Sequence, residues 1–420
     1  MTLPQTNSNK QPANSPVDIP PRTVIDTTSP ADSNASSSET SSSETLSTSQ
    51  PSVTLVIGPR ERFSYTRSCL ESIYQNTDYP FDLIFVDVCS PAPVRRYIEQ
   101  QSQKKSFEVI RTNRYISPNQ ARNVGLRRTL ERRQANYIVF VENDVIVKRG
   151  WLTKLVACAE ETNAAVVGPL TCIGNPAHQV IHNAGGRSYI KSDVKRGQPR
   201  RLIKQSAYLT GRAIADVTDQ LHRTQCDYVE FHCMLARTSI FEQTGLLDEG
   251  MMATREHIDF CFMVTAAGGT VFSEREAVIT TDTIGLDSNK TGLMKWFGKL
   301  SLPDFKPYDL GYFMLRWSDS WDLASLHHLR DKWQLTEDKY FRRRYAGLGS
   351  RRRELLVKPL VRWLTLGQGN TQLENWLGAV ERKFNHRFYA WYTRRHSTTG
   401  SSSSQYYSSA THNHSEPRST

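Results

Sequence analysis

Four short apolar runs, each separated from the next by a segment long enough for a helix, restrict what this chain can become more than any other feature. They are Val53–Ile57 (VTLVI), Leu83–Val88 (LIFVDV), Phe107–Ile110 (FEVI) and Tyr137–Val141 (YIVFV). They are largely hydrophobic instead of alternating with polar residues, which is the pattern of strands covered on both faces. Between them Gly58-Pro59 reads as a turn, and Phe63, Cys69, Leu70 and Ile73 recur at helical spacing. Pro118 is placed to open a helix that runs to about Arg133. The alternation predicts an α/β domain on a mostly parallel central sheet. Ligands of such sheets lie beyond the carboxyl ends of the strands, so the polar residues that follow each run are the ones to carry chemistry.

Two of those ends are acidic: Asp87 lies at the end of the second run, and Glu142-Asn143-Asp144 follows the fourth. Carboxylates one residue apart can be turned toward one hard cation, and oxygen ligands suit Mg²⁺ or Mn²⁺. The same triplet is also an ordinary solvated turn. In Ser117-Pro118-Asn119-Gln120-Ala121-Arg122-Asn123-Val124-Gly125, Arg122 and Asn123 fall in the first half of a helix. They offer a fixed charge for a phosphate and a two-ended amide, or else the plain surface of a capped helix. Further on stand Gly245-Leu246-Leu247-Asp248-Glu249 and Arg255-Glu256-His257-Ile258-Asp259. Glu256, His257 and Asp259 beside apolar Ile258 and Phe260 suit a general-base site, because partial burial raises a carboxylate pKa or holds an imidazole near neutrality. Acidic residues at a helix amino terminus are equally favoured by its dipole. His182 and His232 read as satisfied core or cleft histidines.

In this order the blocks resemble the family 2 glycosyltransferases of the GT-A fold, over about residues 53–275. The matching residues are Asp87, Ala121-Arg122-Asn123-Val124-Gly125, Glu142-Asn143-Asp144, Gly245–Glu249 and Glu256-His257-Ile258-Asp259. The resemblance implies an inverting, metal-dependent transfer of a hexose-type sugar from a nucleotide-sugar, expected to be a UDP-sugar, to an acceptor hydroxyl. It implies that Asp87, Arg122, Asn123 and Asn143 bind the donor nucleotide, and that Asp144 with Glu142 holds Mn²⁺ or Mg²⁺. It implies a catalytic site of His257, Glu256 and Asp259. Two positions depart from the pattern. Glu142 replaces an Asp, a longer arm that still supplies an oxygen, and His257 stands where the family has the Asp regarded as its catalytic base. Either His257 is the base, its imidazole being largely neutral near pH 7, or Glu256 or Asp259 serves while His257 orients the acceptor. A third reading is a non-catalytic GT-A-fold protein that binds sugar or membrane.

Composition sets the ends of the chain apart. From Thr27 to Gln50, fifteen of twenty-four residues are Ser or Thr, too little apolar surface to offset chain entropy. Residues 1–51 are therefore expected to be disordered, as are 397–420. Between them the expectation is a GT-A domain over 52–295 and a helical, basic, Trp-rich region over 296–396, whose Leu315–Ser318 and Lys332-Trp333 segments pack on the first. The net charge of +11 is uneven: 2 − 5 = −3 over 1–51 and 13 − 3 = +10 over 341–395. There Arg342–Arg344 and Arg351–Arg353 flank Leu355, Leu356, Val357, Leu360, Val361, Trp363 and Leu364. That pattern suits a helix lying on anionic lipid, or one packed on the protein through its stripe. No nucleic-acid module accompanies the charge, so nucleic acid is not an expected partner. The seven cysteines form no CxxC pair, which argues against a disulfide framework or a zinc site. The first residues lack the apolar core of a secretory signal, and no run reaches the roughly 18 apolar residues of a spanning helix. The expected setting is cytoplasmic, peripheral at the inner face of a membrane, with a glycan or lipid-linked acceptor.

Overall fold

All four apolar runs are strands of one sheet: β1 (Val53–Gly58), β2 (Asp82–Val88), β3 (Glu108–Thr112) and β4 (Tyr137–Glu142). They are seen in a computed structural model that describes residues 50–282, 306–397 and 406–408. The order β3-β2-β1-β4 is parallel throughout, and consecutive residues such as Ile138 and Val139, which point to opposite faces, are both fully buried. Helices α1 (Thr66–Asn76), α2 (Ala92–Lys105) and α3 (Pro118–Arg132) make the crossovers. Ser117 starts α3 with a capping box: its hydroxyl accepts from Gln120 N at 3.3 Å, and its own N–H donates to the Gln120 side chain at 3.0 Å. Gly125 then lets α3 lie against β1, since a Cβ there would stand 2.3 Å from a Val56 methyl. This contact fixes where the first half of α3 sits relative to the strand ends.

After β4 come β5 (Ile146–Val147), α4 (Trp151–Thr162), β6 (Val166–Ile173), β7 (Val180–Asn183) and a hairpin of β8 (Gly186–Lys195) with β9 (Gln198–Ala207). Then follow β10 (Thr224–Cys226), β11 (Cys233–Arg237), α5 (Ile240–Thr244), α6 (Glu256–Ala266) and β12 (Val271–Thr281). β11 is inserted antiparallel between β4 and β6, while β12 runs parallel to β6. The reversal has a chemical consequence. The start of β11 meets the end of β4, Cys233 opposite Val141, and Glu142 N donates to His232 O at 3.0 Å.

The carboxyl-terminal region forms α7 (Leu310–Arg316), α8 (Asp319–Lys332), α9 (Lys339–Ala346), α10 (350–364, with a π turn over Arg353–Val357) and α11 (Thr371–Ser397). It packs on the sheet domain, as Leu315–Ser318 and Lys332-Trp333 were expected to. Its stripe is more specific than sequence suggested. Leu355, Val357 and Val361 are buried, with Leu355 packed beside Phe313 and Met314 of α7, so this part of the stripe faces protein, while its Trp363 and Leu364 are exposed. The region's exposed apolar side chains include Leu310 of α7, Trp363, Leu364 and Leu366, and Trp376, Val380, Phe384 and Trp391 of α11. Among the described residues no helix is long and apolar enough to cross a membrane. The expected boundary at 295/296 lies outside the described residues, as do residues 1–49. In the tail expected to lack structure, Tyr406–Ser408 form β13 against β3. An open sheet edge pairs with any extended segment, which composition does not foretell.

Candidate active site

The strand ends gather an unusual density of charge. Arg60, Glu61 and Arg62 follow β1 and are 8%, 0% and 1% exposed, which is tolerable only where each meets a counter-charge. Arg60 Nη1 donates to Asp144 Oδ2 at 3.0 Å and to Asp282 Oδ1 at 2.9 Å, and Arg60 Nε lies 3.4 Å from Glu142 Oε2. Arg351 of α10 reaches in to Asp282 Oδ1 at 2.6 Å and Glu61 Oε1 at 2.9 Å, while Trp317 Nε1 donates to Glu61 Oε2 at 2.7 Å. Asp282 stands just past β12 with φ +53°, a left-handed conformation that Asp tolerates. Burial works against its charge, but Arg60 and Arg351 outweigh it and hold the carboxyl well below its usual range. At Asp144 burial prevails over Arg60, and the pKa rises. Its Oδ1 is buried with no hydrogen-bond partner among the described residues.

Glu142 is the hub. Its Oε1 accepts from Arg122 Nη2 at 3.0 Å, and its Oε2 meets His232 Nδ1 at 2.6 Å. Burial alone would raise Glu142; His232, then Arg60 and Arg122, bring it down to about 2. His232 moves the other way, with burial outweighed by Glu142 and a contribution from Glu230, up to about 10. His232 Nε2 lies 3.4 Å from Glu230 Oε2, which is 3.0 Å from His182 Nε2. His182, Glu230 and His232 thus present three ligand atoms within 4.8 Å of one another. Both histidines, read from sequence as ordinary core or cleft residues, belong to this charged cluster.

The remaining residues expected at the site divide into two kinds. Asn123 and Asn143 spend their amides on loops. Asn123 donates to Leu247 O (2.8 Å) and Glu249 Oε1 (2.9 Å) and accepts from Leu247 N (3.0 Å), which clamps the Gly245–Glu249 turn. Asn143 accepts from Arg60 N (3.0 Å) and donates to Arg62 O (2.8 Å) and Thr66 Oγ1 (2.9 Å). Asp87, at the end of β2, accepts from Ser90 N at 2.8 Å and Arg111 Nε at 2.7 Å. Arg122 lies between Glu142 and Glu256, 3.7 Å from the latter, with its guanidinium 4.1 Å from the Phe231 ring centre.

On α6 the three base candidates have different surroundings. Glu256 faces Arg316 at 3.4 Å as well as Arg122. Asp259 accepts from Lys332 Nζ and Trp333 Nε1, each at 2.8 Å. His257 is left with an unused atom: its Nε2 is buried with no partner among the described residues, and burial pushes its pKa down to about 4. The imidazole is therefore neutral at neutral pH.

The part of this arrangement that lies at the ends of β2 and β4 falls within a segment matched by sequence comparison. Residues 56–214 fit Glycosyl transferase family 2. Over that segment, a little more than a third of the chain, the sequence is similar to this family. The matched glycosyltransferase segment contains Asp87, Arg122 and Glu142–Asp144, while β11, α6 and the carboxyl-terminal helices lie beyond it. No curated protein matches the sequence. Solved structures similar to this chain include GalNAc-T7 with UDP, GalNAc and Mn²⁺, at 13% identity and TM-score 0.41, covering 72% of this chain and 58% of that one. They also include S. aureus TarS, at 12% identity and TM-score 0.39, covering 82% and 55%. TarS 1–349 in complex with UDP-GlcNAc has 11% identity and TM-score 0.39, covering 82% and 92%. The chain thus spans 58% and 55% of the first two.

Sequence reading missed Arg60, Arg351, Asp282 and the Glu230/His232 pair. The signals were present in part: Arg60-Glu61-Arg62 directly follows one strand, Asp282 directly follows another, and Glu230-Phe231-His232 leads into a third.

Proposed function

We propose that this glycosyltransferase inverts configuration while moving a hexose-type sugar from a nucleotide-sugar, UDP-sugars first among them, to a hydroxyl of a glycan or lipid-linked acceptor. The observation that carries this reading is the unpartnered, buried Nε2 of His257 beside strand ends crowded with arginines. In the reaction the acceptor hydroxyl approaches His257 and gives up its proton to Nε2. Its oxygen bonds the anomeric carbon while the bond from that carbon to the phosphate oxygen breaks, and the nucleoside diphosphate leaves. In this reading Arg60 and Arg351, now paired with Asp144, Asp282 and Glu61, would turn to the charge that the diphosphate gathers.

A divalent cation is implied by the resemblance at Glu142 and Asp144. The oxygens of Glu142 are taken by Arg122, His232 and Arg60, and only Asp144 Oδ1 is unengaged, so this pair fits a cation poorly. His182, Glu230 and His232 would fit one once His232 gives up its Nε2 proton, as two imidazoles and a carboxylate, a donor set that favours a first-row transition ion over Mg²⁺. Such a cation would supply Lewis-acid charge near the leaving phosphate.

The deciding experiment is thermal stabilisation by UDP, GDP and dTDP together with nucleoside diphosphate release from the corresponding sugars, with Mn²⁺ or with EDTA. UDP is expected to raise the melting temperature, and slow release by wild type is expected with Mn²⁺ and lost in EDTA. The absence of any nucleotide shift would sink the reading, and release that persists in EDTA would remove the cation from it.

For the membrane partner the supporting feature is the exposure of Trp363 and Leu366 and, along α11, of Trp376, Phe384 and Trp391, with exposed Arg362, Lys383 and Arg387 nearby in the chain. Aromatic and aliphatic groups beside cations match an anionic bilayer surface. Co-sedimentation with phosphatidylglycerol-containing vesicles, absent with phosphatidylcholine alone and lost in Trp376→Ser/Trp391→Ser, is the expected result.

A further inference from the structure

Most buried or half-buried arginines in this molecule face a carboxylate: Arg60, Arg62, Arg122, Arg316, Arg351 and Arg352 each do. Arg255 and Arg344 do not. Arg255 enters α6 with φ +67°, and Arg344 lies in the last turn of α9. Among the described residues neither makes an ion pair. Instead both direct an N–H at one neutral oxygen, Gln205 Oε1, each at 3.3 Å. The Nε of each is buried without an acceptor. Arg344 is otherwise held by Tyr340, whose carbonyl accepts at 3.0 Å and whose ring centre lies 3.2 Å from the guanidinium carbon. Burial first, and then repulsion from Arg255, pull its pKa down to about 10, the mark of a missing counter-charge.

The pair borders open space. Two cavities, of ≈ 260 Å³ and ≈ 490 Å³, both have Arg255, Arg343 and Arg344 in their walls. The larger is also lined by Tyr228, whose ring centre is 5.8 Å from that of His257. Two carboxylates share these walls. Asp338 caps α9, accepting from Tyr340 N at 2.8 Å, and acts on Arg344 only at a distance, while the cations that act on Asp322 are Arg316 and Arg352. Among the described residues neither carboxylate forms an ion pair with Arg255 or Arg344. Two forked guanidiniums with unused N–H groups, set close together around a neutral place-holder, match a tetrahedral dianion.

We propose that Arg255 and Arg344 bind a phosphate of the acceptor, so that the acceptor is a phosphoester held beside His257. The word acceptor rests on the transfer reaction proposed above; the anion site itself does not. A lipid phosphate and a phosphorylated sugar share this chemistry.

The test is titration of inorganic phosphate at constant ionic strength into the full chain, followed by calorimetry and melting temperature, with UDP titrated in parallel. Saturable phosphate binding by wild type is expected, weakened at least about tenfold in Arg344→Met and in Arg255→Met, with UDP binding as in wild type. Arg344→Met should also melt higher than wild type in phosphate-free buffer, because a like-charge contact is gone, and that guards against mere misfolding. The proposal is overturned if wild type binds UDP but not phosphate, if both variants bind phosphate as wild type does, or if they lose UDP binding along with it. Failure of UDP alone overturns the donor reading and leaves the phosphate result to decide this site. Decyl phosphate binding more tightly than glucose 6-phosphate identifies a lipid source, and the reverse order a phosphorylated glycan.

Discussion

His257→Ala should lower sugar transfer by roughly 10²–10⁴-fold, the usual contribution of a positioned base, while UDP still stabilises the protein as it does wild type. The contrast with its helix neighbours makes the result informative. Glu256 is engaged by Arg316 and Arg122, and Asp259 by Lys332 and Trp333, so Glu256→Gln and Asp259→Asn should act mainly through stability. A wild-type rate after Asp259→Asn at a temperature where the variant is folded, beside the loss in His257→Ala, would place the base at the imidazole. The pH dependence follows from the same burial. With its pKa pushed down to about 4, His257 is unprotonated throughout the neutral range, and the rate should be flat there and fall only on acidification toward that value. Folding is linked in the same direction. A free imidazole titrates near 6.5, so on acidification the unfolded chain takes up this proton before the folded one. His257 contributes stability that is complete above about pH 6.5 and is lost as pH falls from there through about 4. Melting temperature against pH should lose part of its acid slope in His257→Ala.

Arg60→Met should cost about 3–5 kcal/mol of folding stability, because removing one partner of a buried cluster strands the others. Those left behind are Asp144 and Asp282, at 3.0 and 2.9 Å from Arg60 Nη1, with Glu142 close to Nε. Urea denaturation measures the loss. The double variant Arg60→Met/Asp144→Asn should lose less than the sum of the two single variants, since neutralising Asp144 removes one of the stranded charges. Arg67→Ala is the control: Arg67 pairs with Glu71 on the exposed side of α1, and its removal should leave the urea midpoint where it was. A small effect of Arg60→Met would mean that water reaches the cluster freely.

The parallel half of the sheet was legible because burial on two faces writes itself into sequence as unbroken apolar runs. The acids that end β2 and β4 were legible for the same reason, since a strand end is easy to locate once the strand is. The other half was not. Nothing local marks β11 as reversed between β4 and β6, and it is this reversal that sets His232 on Glu142. The partners of the acids were also hidden, because Arg351 meets Glu61 across 290 positions of sequence. Asn123 and Asn143 show the limit of reasoning from residue type, for an amide able to hold a ligand is equally able to hold a loop. The stripe over Leu355, Val357 and Val361 shows another. Its pattern is the same whether it faces lipid or Phe313 and Met314 of a helix some forty residues earlier.

The ties from Trp317 and Arg351 to Glu61 also bear on how such a chain can be inherited. Glu61 is fully buried, and two of its three charged or hydrogen-bonding side-chain partners come from the helices after residue 306. Recombination that joined this sheet domain to another carboxyl-terminal half would leave Glu61 without Trp317 and Arg351, and Asp282 without Arg351. Each half has therefore become part of the other's interior, and descent should pass them on as a pair.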